Sequence, residues 1–67
     1  MAIKTIKERT TGEVRIAGTL HPVRDELQRH QFGKDVQWVV VGGICNGFAT
    51  SATIHNTLKS AIAAWEA

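Results

Sequence analysis

Sixty-seven residues carry eight Lys or Arg against six Asp or Glu, for a net charge of +2, with a single cysteine. That length makes one small domain, and a single cysteine excludes an intramolecular disulfide framework. No apolar run approaches the ~20 residues of a membrane span, and the N-terminus lacks the apolar core of a signal peptide, so a soluble cytoplasmic protein, complete from its Met1, is expected.

Ordering such a chain costs on the order of 100 kcal/mol of conformational entropy, at ~1.5 kcal/mol per residue. One small core offsets little more than that, and domains of this size usually gain support from a disulfide, a metal or a partner chain. Cys45 fits a reducing compartment and reads as a small buried hydrophobe.

Ala2 to Arg9 carries Ile3, Thr5 and Ile6 and reads as an edge strand, with Lys4, Lys7 and Arg9 as the charges that discourage edge-to-edge aggregation. Thr10-Thr11-Gly12 reads as a turn. Glu13 to Leu20 alternates, with Val14, Ile16, Gly18 and Leu20 on one face and Glu13, Arg15, Ala17 and Thr19 on the other. The two strands are expected to form a β-hairpin.

His21-Pro22 opens an expected amphipathic helix. Proline suits a first helical turn, Asp25-Glu26 fall where the dipole favours acids, and Val23 stacks on Leu27 at i, i+4. Phe32 closes the stripe and Gly33 serves as the C-terminal stop.

Val36 to Ser51 holds the longest apolar run, Trp38 and Val39 to Val41, followed by three of the six glycines and Thr50-Ser51. Its first half is a strand by composition. Trp38 and Val40 point one way, Val39 and Val41 the other, so the strand wants cover on both faces. In the second half, Asn46-Gly47 is a favoured type I′ hairpin pair, which makes Phe48 to Thr50 a short further strand. The last element is a helix from Thr50-Ser51 to Ala67, with Ile54, Leu58, Ala61, Ile62 and Trp65 at i, i+4, i+7, i+8 and i+11.

The expected fold is therefore α+β: a two-layer sandwich of an antiparallel sheet with two helices on one face, in the order ββαβ(β)α. Two helices leave the other face open, and a second copy or another protein is expected to cover it.

Four kinds of chemistry have residues in this frame. Gly42, Gly43, Asn46, Gly47, Thr50 and Ser51 resemble a strand–loop–helix anion cradle, but the lysine of a Walker loop and the G-x-G-x-x-G spacing are both missing. Cys45, His21, His30 and His55 are metal-capable residue types without ligand spacing, so no metal or cofactor is expected. No helix N-terminus or cation activates Cys45 as a nucleophile, so no enzyme is expected. Lys4, Lys7, Arg9 and Arg15 share the N-terminal hairpin and form the best basic cluster, a β-ribbon that would suit nucleic acid.

The sequence reading that results is a non-enzymatic binding protein that occupies a surface on another macromolecule. Regulators, adaptors and inhibitors, phage-type antagonists of host machinery among them, are the class expected for such a chain. Its binding surface is expected at Lys4, Lys7, Arg9, Arg15, Val39 and Val41, with homodimerisation through the sheet. Nucleic-acid binding at the hairpin is the alternative, and nucleotide or phosphate binding at Gly42–Ser51 is the second alternative.

Overall fold

The computed structural model describes residues 1–67 and is mostly sheet: β1 (Ala2–Ile16), β2 (Thr19–Phe32), β3 (Asp35–Ile44), β4 (Ser51–His55) and α1 (Leu58–Glu66). The strands form one antiparallel meander in the order β1-β2-β3-β4. The α+β class and the antiparallel sheet agree with the sequence reading. The element order does not: it is ββββα, with one helix in place of two.

The largest correction falls on His21–Phe32, expected to be a helix and found within β2. Arg24, Glu26, Leu27, Gln28, Arg29 and Gln31 are good helix formers, but β2 is the strand to which β1 and β3 both bond, and that ladder outweighs local propensity. Pro22 is tolerated because β3 pairs with β2 only from Arg24 onward, so its missing N–H falls beside an unpaired edge. Gly33 does not stop a helix. It takes φ +60° in the two-residue loop joining Phe32 to Asp35.

The turn expected at Thr10–Gly12 is also absent. β1 runs straight through these residues, and the hairpin loop is Ala17-Gly18, at φ +49° and +82°, the type I′ pattern. Asn46-Gly47, at φ +55° and +81° between the bridged Cys45 and Phe48, form the anticipated type I′ turn. The following strand is Ser51–His55 and not Phe48–Thr50, which moves the helix start from Thr50-Ser51 to Leu58. Thr57 caps α1, its side chain accepting a hydrogen bond from the Ser60 amide.

Three register irregularities shape the sheet. β1 bulges at Ile6 and at Thr11, where each residue has no partner on β2. β3 bulges at Gly42-Gly43, where two residues stand opposite Asp25 alone. Gly43 has φ +66°, and a Cβ there would collide with the Thr50 side chain, while one on Gly42 would come within 2.6 Å of Ser51 Oγ. The glycine pair is thus a bulge packed against its neighbouring strand, separate from the turn at Asn46-Gly47.

α1 lies over β3 and β4. Leu27, Ala61 and Trp65 form the core, with Trp38, Val40 and Ile62 packed around it. Val39 and Val41 face away from the helix, as the alternation requires. The expected exposure of Val39 needs correction: it is 6% exposed, buried by its own chain, and Ile44 is buried outside the helix-side cluster too. No helix is long and apolar enough to cross a membrane.

Candidate interaction surface

β1 is exposed along all 15 residues. It rests on β2 alone, and beyond Arg24 the β1–β2 pair leaves β3 behind. Gly12–Val23 therefore projects as a two-stranded ribbon, and the molecule measures 44 × 26 × 15 Å.

The two bulges in β1 sort its charges. In a regular strand Lys4 and Lys7 would face opposite ways, and Arg9 and Arg15 the same way. The bulge at Ile6 brings Lys4 and Lys7 to one side: Lys4 stands opposite Arg29 and Lys7 opposite Leu27, both on the helix side of β2. Arg9, opposite Asp25, joins them. The bulge at Thr11 then turns Arg15, opposite Leu20, to the other face. The basic group that emerges is Lys4, Lys7, Arg9 and Arg29, not the predicted set with Arg15. Arg29 was missed because its stretch read as the polar side of a helix. Its partners Trp38 and Lys4 on the flanking strands now place it on the helix side.

Arg9 is held by its own chain. Its guanidinium lies 4.2 Å from the Trp65 ring centroid, and its Nε donates to Asp25 Oδ2 at 3.3 Å. Asp25 Oδ1 in turn accepts the Gly43 amide at 3.1 Å. One arginine thereby ties β1 to β2, to the β3 bulge and to the end of α1.

That contact bears on the glycine stretch. The Gly43 N–H already has a carboxylate on it, the Thr50 amide donates to the Gly42 carbonyl, and Cys45 and Phe48 exchange backbone bonds across the turn. Thr50-Ser51 lead into a strand, so no helix N-terminus faces the loop. These amides are committed to internal partners.

The face away from the helix divides in two. Toward β3 and β4 it is apolar, with Val39 beside Ile54 and Val41 beside Ala52. Toward β1 and β2 it is a hydrogen-bonded chain. His30 Nε2 donates to Gln28 Oε1 at 2.8 Å, Gln28 Nε2 to Glu26 Oε1 at 3.1 Å, Arg24 Nε to Glu26 Oε2 at 2.8 Å and Thr5 Oγ1 to Glu26 Oε1 at 3.0 Å. Glu26 is 7% exposed. The hydrogen bonds from Gln28 and Arg24 outweigh burial and hold its carboxyl below the ordinary value of 4.5.

The metal-capable residues are not brought together. His21 lies on the projecting ribbon, His30 on the face away from the helix and Cys45 beside the turn, and no three potential ligands converge. His55 docks the helix, its Nδ1 2.8 Å from Ser60 Oγ and its Nε2 3.0 Å from Thr53 Oγ1.

A folded monomer of 7.3 kDa is expected to expose about 4,200 Å², whereas this chain exposes 4724 Å². Its radius of gyration is 13.1 Å, against about 11 Å for a compact chain of this length. Only six of 67 residues are buried, while Ile3, Leu20, Phe48 and Ile54 are more than half exposed. Comparison with known proteins finds no matching family model, no matching curated sequence and no matching solved structure.

Proposed function

We propose that this chain is a non-enzymatic binding protein that self-associates and acts by occupying a surface on another macromolecule, in the manner of a regulator, adaptor or inhibitor. The observation that carries the reading is the excess surface: 4724 Å² exposed by a 7.3 kDa chain with six buried residues. The excess of about 500 Å² over a compact monomer approaches the ~800 Å² per partner of a standard protein interface. Exposed apolar groups spread over the ribbon and both faces of the sheet supply what such an interface buries.

The test is affinity capture from native lysate, with and without nuclease, followed by mass spectrometry. A discrete protein in stoichiometric amount that survives nuclease supports the reading. Recovery of nucleic acid alone, or of nothing, overturns it.

A second reading draws on the charge sorting. Lys4, Lys7 and Arg29 stand together on one side of the β1–β2 ribbon, so a polyanion such as a nucleic-acid backbone has a defined place to lie. Gel shifts that weaken with salt, and weaken further when Lys4, Lys7 and Arg29 are neutralised but not Arg15, would favour it.

A further inference from the structure

β1 ends the sheet, and no strand bonds to its outer edge anywhere along Ala2–Ile16. Within the Gly12–Val23 ribbon, Pro22 fixes which groups that edge presents. Proline has no N–H, so the Glu13–Pro22 pair is of the non-hydrogen-bonded kind, and the N–H and C=O of Glu13 point outward. Alternation points those of Arg15 outward too, while Gly12, Val14 and Ile16 bond to β2. The outward residues thus carry opposite charges, on the face away from the helix. Neither belongs to the chain's ion pairs, Arg9–Asp25 and Arg24–Glu26. Arg15 makes one long bond of 3.4 Å, to the Gly18 carbonyl. β3 begins pairing only at Arg24, so the ribbon is a two-stranded hairpin, marginally stable in water by itself.

We infer that the edge Gly12–Ile16 pairs antiparallel with the same edge of a second copy, the two Val14 residues meeting across a two-fold axis. This rests on the reading of the chain as a self-associating protein and names the edge involved. The order of charges selects a second copy. Set against its own copy with Glu13 facing Glu13, or Arg15 facing Arg15, the edge brings like charges together. With Val14 on the axis, each Glu13 faces the Arg15 of the other copy on the same side of the sheet, and each such pair exchanges two backbone bonds. The edge is its own complement in that register. A strand of another chain has to carry the same Glu-x-Arg order to match it as well. Nearer the sheet the edge is not self-complementary: along Lys7–Arg9, centring on any residue sets its charge against itself. Pairing therefore stays at the ribbons and joins them into a four-stranded sheet, the support that each lacks alone. Such a contact is isologous and closes on itself.

Charge exchange tests it by sedimentation equilibrium, with far-UV circular dichroism to check that the sheet remains. Wild type is expected to dimerise in the micromolar range. Glu13→Arg and Arg15→Glu are each expected to weaken the dimer by about 30-fold, because symmetry turns two attractive pairs into two repulsive ones. Mixing these two variants one to one is expected to restore wild-type affinity in a heterodimer, since one copy then offers two cations and the other two anions. Recovery on mixing also excludes misfolding of either variant as the cause of the loss. The chain carrying both changes is expected to dimerise as wild type does. In a Cys45→Ser background, Val14→Cys is expected to form a disulfide between copies on mild oxidation; Ile16→Cys, facing Gly12 of the other copy, is not. A wild type monomeric even at millimolar concentration would overturn both this contact and self-association. A dimer indifferent to the single charge changes, or one that they weaken without recovery on mixing, would overturn the edge contact alone and leave self-association standing.

Discussion

The half of the molecule built from β3, β4 and α1 and the half built from β1 and β2 are stabilised by different means. In the first, short elements close over a small core to which β2 lends Leu27: Leu27 and Ala61 reach zero exposure and Trp65 7%. In the second, two long strands hold each other by backbone bonds and surface pairs, and no residue of β1 is buried. Leu27 and the Arg9–Trp65 stack are where the halves meet. The difference teaches that sheet length alone does not make a core; a second layer does, and it extends only as far as nine helical residues reach.

Cutting into the core beneath α1 should have the largest effect. Leu27→Ala empties the one fully buried large side chain and is expected to cost about 3 kcal/mol, enough to unfold much of a domain this small, as a loss of cooperative urea unfolding would register. Gly43→Ala is next, at about 2 kcal/mol, because the residue holds φ +66° and a Cβ would meet Thr50. Urea midpoints measure it, and an unchanged midpoint would refute the bulge as a steric requirement.

At the centre of the hydrogen-bonded face, Glu26→Gln should cost about 1 to 2 kcal/mol at neutral pH, through weakened bonds from Arg24 and Thr5. The folded carboxyl is held below its ordinary 4.5, so the ionised form is favoured by folding. That contribution is complete above the ordinary value and disappears as pH falls through the lowered one. Wild type and Glu26→Gln should therefore converge in acid, and a gap that persists in denaturation curves at low pH would contradict the assignment.

The joint between halves should respond more mildly. Arg9→Ala removes the Trp65 stack and a half-exposed ion pair and should cost about 1 kcal/mol or less. Its specific sign is faster amide exchange along β1 with little change in α1. The smallest effect is a gain. Ala17 holds φ +49° in the ribbon turn, where Ala17→Asn should add about 0.5 kcal/mol, read as slower exchange at the ribbon tip. If that change also alters assembly, the two halves are less separate than their packing indicates.

The layered half was the more legible one. Trp38 to Val41 could only be a strand, Asn46-Gly47 carried its turn geometry in its side chains, and Ala61, Ile62 and Trp65 marked the helix. Ile54 fitted the helical spacing too, and only the ladder with Val39 places it in a strand. The ribbon half misled. Val23 and Leu27 satisfy i, i+4 and also share a strand face, since a separation of four is even, and the helix-forming residues around them tipped the choice. Ala17-Gly18 was hidden because alanine is a poor turn residue at positive φ, while Thr10-Thr11-Gly12 offered better turn chemistry and is used for a bulge. Of the basic residues, Lys4, Lys7 and Arg9 read as a group and share one side of β1. Arg15 lies on the other side because a bulge leaves no mark in composition or spacing, and Arg29 was overlooked because its stretch reads as the polar side of a helix.

The bulges at Ile6 and Thr11 also give β1 slack in its own length. Removing Thr11 would join Thr10, opposite Arg24, directly to Gly12, opposite Val23, so that regular alternation keeps Arg15 off Arg9's side and Val14 and Ile16 on it. A single lost codon there would thus straighten the strand and leave its uncharged and basic stretches where they are. Between related chains, a one-residue gap at either bulge would carry less information about partners than a substitution on either face does.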